Sequence, residues 1–111
     1  MEPRLRADFR VKAILRRVEQ AGANAMIVAK GEASAGAVLI KHNRFALDCR
    51  VYAQTRTAAG EPAWVVATGA DAVDDAAAER IIARQRGFDP DLWVIEVEDP
   101  HDRWSLDEPL L

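Results

Sequence analysis

The chain has a single cysteine, Cys49, in 111 residues, so no internal disulfide can staple it. That usage fits a reducing compartment. No segment approaches the roughly 18 consecutive apolar residues that a membrane-spanning helix needs. The opening "MEPRLRADFRVKAILRRVEQ" is charged throughout and leads into no unbroken apolar run, which argues against a secretory signal. Internal repeats, low-complexity linkers and composition breaks are also missing. There is no G-x-S-x-G, no P-loop and no G-x-G-x-x-G. Only two histidines are present, His42 and His101. These absences predict a cytoplasmic protein that neither enters nor anchors to a membrane, and they give no ground for any cofactor.

What is there is a balanced globular composition, 50% hydrophobic and 30% charged, with a net charge of -3. One domain of this length buries a core without metal or disulfide. The charge is unevenly spread. Residues 1–17 hold Arg4, Arg6, Arg10, Lys12, Arg16 and Arg17 against Glu2 and Asp8. Residues 89–111 hold Asp89, Asp91, Glu96, Glu98, Asp99, Asp102, Asp107 and Glu108 against Arg103.

Hydrophobic spacing predicts the elements. A helix over about 7–21 puts Ala7, Val11, Ile14, Leu15 and Val18 on one face, with Gly22 as its stop and Phe9 on the opposite side among arginines. "NAMIVAKG" (24–31) and "AGAVLIKH" (35–42) are short apolar runs whose "GEAS" spacer suggests a hairpin. "RFALDCRVYAQT" (44–55) alternates: Phe45, Leu47, Cys49, Val51 and Ala53 against Asp48, Arg50, Tyr52 and Gln54. "AWVVAT" (63–68) is a fourth strand. A second helix over about 71–86 has Asp71 or Asp74 as its cap and arginines near its end, with Gly87 as a left-handed stop and Phe88 packing back onto it. "LWVIEVE" (92–98) is the fifth strand, and Asp89-Pro90-Asp91 is the turn before it. The resulting class is α+β, in the order α-β-β-β-β-α-β. The expected sheet is mostly antiparallel, of about five strands, with both helices packed on one face. Residues 1–102 form the domain and 103–111 an acidic C-terminal tail.

Candidate chemistry is sparse. Glu96, Glu98 and His101 are the best candidate metal ligands, because residues two apart on a strand share a face and His101 follows in the next turn. The simpler reading is a strand whose outer face turns polar as it reaches solvent. Cys49 with His42 as base is a poor nucleophile pair. In one continuous strand the two would lie about 23 Å apart and on opposite faces, and Cys49 sits on the apolar face, where burial raises a thiol's pKa. Arg6, Arg10 and Arg17 share a helix face with Phe9 nearby, a pattern that can meet phosphates and a base. The acidic C-terminus opposes that use.

The blocks "AILRRVEQAGANAMIVAKGEASAGAVLI" and "RQRGFDPDLWVIEVED" give the chain a family resemblance. It resembles the short bacterial proteins grouped as domain of unknown function 1491, over nearly its whole length. The resemblance implies a small cytosolic bacterial protein and brings no activity, cofactor or catalytic residue with it.

The reading that follows is a non-catalytic protein-interaction or homo-oligomerisation module. Its expected partner-binding residues are Arg6, Phe9, Arg10, Arg17, Trp104 and Leu106. In this picture the acidic tail meets the basic helix face within one chain, between two copies, or in a separate protein, with Trp104 or Leu106 covering Phe9. The 24–42 hairpin, apolar on both faces, is the expected self-association surface, because one layer of helices cannot bury it. The alternatives are a metal-dependent or hydrolytic enzyme at Glu96, Glu98 and His101, and nucleic-acid binding by the first helix.

Overall fold

The computed structural model describes residues 5–111, so Glu2 and Arg4 of the basic segment lie outside the described residues. Helix α1 (Ala7–Gln20) buries Ala7, Val11 and Val18, with Ile14 and Leu15 packed beside them, on the face that the spacing marks. Gly22 follows with φ 90, in the left-handed region that favours glycine at a helix end. Strands β1 (Asn24–Ala29), β2 (Val38–Asn43), β3 (Cys49–Arg56) and β4 (Pro62–Val66) come next, then α2 (Asp75–Phe88) and β5 (Trp93–Glu98). The expected order of elements holds.

The sheet order is β1-β5-β2-β3-β4. β1 and β2 therefore do not form a hairpin. β5 lies between them, antiparallel to β1 and parallel to β2. With β2–β3 and β3–β4 also antiparallel, the sheet is mostly antiparallel with one parallel pairing.

The helices lie on opposite faces, not on one. Val38, Ile40, Tyr52, Trp93, Ile95 and Val97 join the α1 core. Leu39, Cys49, Val51, Leu92 and Val94 join the α2 core with Ala78 and Ile82. Strands apolar on both faces must be covered on both, which a single helical layer cannot do. For the same reason Tyr52 does not face solvent: it is buried opposite Ile40 on the α1 side. Phe45 and Leu47 are not in the strand. They lie in a 3-10 turn (Phe45–Leu47), both exposed, flanked by left-handed φ values of 57 at Phe45 and 68 at Asp48.

α2 starts where the sequence allows, with the Asp74 carboxylate accepting the Ala77 N–H at 2.8 Å. It runs through Gly87, which is helical rather than a left-handed stop, and Phe88 stays exposed. Lys41 ties α2 to β2. Its ammonium is fully buried and donates to Asp75 and Glu79 at 2.6 Å each, with Glu96 at 3.6 Å. Burial by itself would lower its pKa, but these carboxylates outweigh burial and hold it above the usual lysine range.

The loop between β1 and β2 is closely built. Glu32 accepts from Ser34 and Ala35 through its carboxylate, and from Gly36 and the Trp93 indole through its carbonyl. The Ser34 and Ala33 carbonyls take the first N–H groups of α1, at Ala7 and Asp8, where Arg6 supplies no side-chain cap. A Cβ on Gly31 would run into the Asp91 carbonyl and lie 2.6 Å from the Trp93 ring. Gly31→Ala should therefore cost about 2 kcal/mol or more, read as a lower urea midpoint at constant m. Gly87→Ala, facing open space inside α2, should instead stabilise by about 0.5–1 kcal/mol.

Candidate functional site

The parallel pairing of β2 with β5 sets His42 opposite Val97 and Asn43 opposite Glu98. Asp99 follows β5, and its N–H donates to the Asn43 carbonyl at 2.9 Å. His42 and Asp99 thus meet although they are distant in sequence. His42 Nε2 lies 2.8 Å from Asp99 Oδ2, with the side chains 3% and 1% exposed. Asp99 also accepts the N–H groups of Arg103 and Trp104, each at 2.9 Å. The His42 ring meets Trp104 edge-on at 5.1 Å and tilts against Tyr52 at 6.2 Å. Asp102 lies 3.9 Å from Nε2 on the outer side, and Arg44 reaches Asp102 at 3.4 Å.

Burial holds the His42 imidazole below its ordinary pKa, against the opposite pull of Asp99 and Asp102 and with a smaller push from Arg44. For Asp99, burial raises the pKa, but the Arg103 and Trp104 N–H groups and His42 outweigh it and hold the carboxyl below the usual range. The pair is therefore a neutral imidazole donating from Nε2 to a carboxylate. His42 Nδ1 is buried without a partner, as a neutral ring allows.

His42, Asp99 and Asp102 bring ligand atoms within 4.8 Å of one another, the one such group of three among the described residues. The donor set suits a divalent ion, but its atoms are already spent. Asp99 takes three hydrogen bonds, Nε2 carries the donated proton, and Arg44 sets a fixed cation against Asp102. The geometry is that of a latch that fastens the chain after β5 onto β2. The expected ligand set does not assemble: Glu96 turns to Lys41 on the α2 side, and His101 is exposed in the turn. Cys49 lies one register position from His42, since it pairs with Asn43 across the ladder. The two still face opposite sides. Cys49 is buried in the α2 core, and burial pushes its thiol up.

The basic helix face is engaged by the chain's own tail. Arg10 makes a two-pronged pair with Glu108, at 2.6 and 3.3 Å, and stacks over Trp64 at 5.4 Å. The Trp64 indole donates to the same carboxylate at 3.0 Å. Arg17 pairs with Asp107 at 3.1 Å. Trp104 is buried and Leu106 packs on the α1 core. Trp104 is not what meets Phe9. Trp104 goes to His42 and Tyr52, while Phe9 stays 51% exposed beneath Arg6 and Lys12.

The tail also closes one edge of the sheet. Trp64 donates to the Pro109 carbonyl at 2.9 Å, and Leu111 donates to the Trp64 carbonyl at 2.7 Å. β1 forms the other edge, and among the described residues no chain pairs with its outer side. Met26, Ile27 and Val28 are 44%, 43% and 55% exposed there. Val28 occupies a bulge in the pairing with β5. No helix among the described residues is long and apolar enough to cross a membrane.

The latch predicts a sign for pH dependence. His42 is held neutral when folded, whereas the unfolded chain takes up its proton near pH 6.5, so stability is lost as pH falls below about 6.5. Asp99 adds a further loss below about pH 4. Thermal unfolding should shift to lower temperature between pH 7.5 and 5.5. His42→Gln should flatten that slope while lowering stability at pH 7.5. A wild-type curve flat over this window would contradict the assignment.

Residues 5–107 match the family described as protein of unknown function (DUF1491). The crystal structure of a DUF1491 family protein from Caulobacter crescentus CB15 superposes with a TM-score of 0.85 at 34% identity, covering 97% of this chain and 100% of that one. The NMR structure of a DUF1491 family protein from Caulobacter crescentus CB15 gives 0.83 at 33% identity over 99% of each chain. The solution structure of protein Atu0922 from A. tumefaciens gives 0.74 at 27% identity over 86% of each. No curated protein matches. With a family match over nearly its full length and homologous folds that superpose end to end, the chain belongs to the DUF1491 family.

Proposed function

We propose that the protein is a non-catalytic self-association module, and that two copies join by antiparallel pairing of their β1 strands. The observation that carries this reading is the β1 edge, unpaired among the described residues, with Met26, Ile27 and Val28 exposed. Unpaired N–H and C=O groups on an apolar edge are a template for another strand. Asn24–Ala29 contains no charge and no proline, so its own copy is the strand that matches it best across a two-fold axis. The tail covers the β4 edge at Trp64, so among the described residues β1 is the one open edge, which favours a closed dimer over a growing fibre. The Val28 bulge and the cation of Lys30 bound the pairing to about Asn24–Ile27.

Two further features support a non-catalytic role in the cytoplasm. The buried His42–Asp99 pair is structurally engaged, with Asp99 also holding the Arg103 and Trp104 N–H groups. The single thiol is buried, away from His42.

The wild-type protein should show a dimer mass by light scattering at about 100 µM, dissociating on dilution as a short edge contact would. Met26→Lys with Val28→Lys, both at exposed positions, should give a monomer with an unchanged circular dichroism spectrum. A wild-type monomer at that concentration, or a double variant that remains dimeric, would sink the proposal.

A further inference from the structure

Among the described residues, three that are not glycine take a left-handed φ: Phe45, Asp48 and Asp102. All three lie at one end of the sheet. Phe45 and Asp48 bound the 3-10 turn between β2 and β3, and Arg44 reaches from that turn to Asp102 at 3.4 Å. A left-handed φ is costly for an aromatic residue. Asp48, with φ 68 and ψ -178, sits in a region that glycine alone takes readily. Neighbouring groups hold the turn in this shape. Asn43 Oδ1 accepts the Phe45 N–H at 2.9 Å, the Arg44 N–H donates to the Asp48 carbonyl at 3.2 Å, and Arg44 Nη2 donates to the Leu47 carbonyl at 2.9 Å. What the shape achieves is exposure. Phe45 and Leu47 are 51% and 50% exposed, and neither joins the core on either side of the sheet. A turn that served only to join two strands would carry glycine or asparagine at these positions.

The charge around this apolar pair is acidic. Asp48 is exposed within the turn itself. On one flank, Cys49 and Val73 exchange both backbone hydrogen bonds, at 2.7 and 2.9 Å. That bridge lays the segment leading into α2 against the turn, with Asp71 and Asp74 exposed on it. On the other flank is Asp102. Arg44 is largely buried and already engaged with Asp102 and the Leu47 carbonyl. The next cation along the chain, Arg50, is half-buried beside Val66 and Leu110. Leu5, where the described chain begins, lies beside Thr55 and Arg56 at the far end of β3, about 20 Å along the strand from Cys49.

We propose that the Phe45–Leu47 turn is a docking knob for a basic amphipathic helix of a partner protein. Phe45 and Leu47 meet the apolar stripe of that helix, and its lysines or arginines lie over Asp48, Asp71 and Asp74. Charge decides the occupant. A second copy would bring the same carboxylates to the contact, and a nucleic acid or an anionic membrane would bring phosphates to them, so each is repelled. The fixed turn lowers the ordering cost of binding, because the backbone that presents the two side chains is already held. This surface is separate from the β1 edge and does not depend on β1 pairing.

The test is an NMR titration of the isotope-labelled full-length protein with a 14-residue peptide of leucine and lysine, its leucines at helical spacing. The controls are the same peptide with glutamate in place of lysine, and octalysine. The leucine-lysine peptide should give saturable shifts at the N–H groups of Arg44 to Cys49 and of Asp71 to Asp74, with a dissociation constant of about 100 µM. Both controls should bind at least about tenfold more weakly. Phe45→Asn and Leu47→Asn should each weaken the peptide by about tenfold. Asparagine tolerates a left-handed φ, so Phe45→Asn should also raise the melting temperature while it removes binding. A lower melting temperature in that variant would show that the ring serves the fold, and would overturn the proposal. So would equal binding of the glutamate peptide, since charge would then play no part. Equal binding of octalysine would reduce the site to general adsorption on an acidic protein. Shifts confined to β1, or unchanged shifts in the Phe45→Asn protein, would remove the turn from the contact altogether.

Discussion

β5 hydrogen-bonds to a strand on each side and turns apolar residues to both helical layers. Everything else in the structure is arranged around that insertion. Once β5 parts β1 from β2, the loop joining those two strands has to cross its start. There it packs so tightly on Asp91 and Trp93 that only glycine fits at Gly31 and Gly36. The same loop satisfies the first N–H groups of α1. At the other end, β5 delivers Asp99 to His42, and Asp99 turns the chain so that Trp104 closes the α1 core.

Two buried polar assemblies flank this strand, and they solve one problem in different ways. Lys41 stays charged because carboxylates at the rim of α2 meet it. His42 stays neutral because burial disfavours its cation, although Asp99 is beside it. A buried charge stripped of its partner costs several kcal/mol, so Lys41 and Asp99 are tied to the groups that meet them. In both, the basic side chain is buried while carboxylates of Asp75, Glu79 and Asp102 reach the surface.

The local features were legible. The helix face of α1, the Gly22 stop, the Asp74 cap and the approximate place of each strand follow from spacing and end chemistry. So did the complementarity between the basic helix and the acidic tail, which the Arg10–Glu108 and Arg17–Asp107 pairs realise within one chain. The hairpin expected at "GEAS" failed because short spacing is compatible with a loop over an inserted strand, and period-two apolarity does not name the neighbour. The alternation from Phe45 to Ala53 read as one strand, yet left-handed residues at Phe45 and Asp48 break it into a turn and a strand. The Asp99 role had no local signal, since it needs the parallel register of two strands far apart in sequence.

The sequence by itself determined the approximate place of each helix and strand, and that β2 is apolar on both sides. Those properties are local: they depend on periods of 3.6 and 2 and on the chemistry of a few end residues. Only the tertiary structure decided which strand sits between which, and hence that the helices lie on opposite faces and that His42 meets Asp99. It also decided that the tail meets β4 at Trp64 while β1, among the described residues, has no partner on its outer side. Pairing and layering depend on contacts between distant residues, where several arrangements satisfy the same local pattern. The packed core selects one of them, because every two-sided strand has to be covered at once.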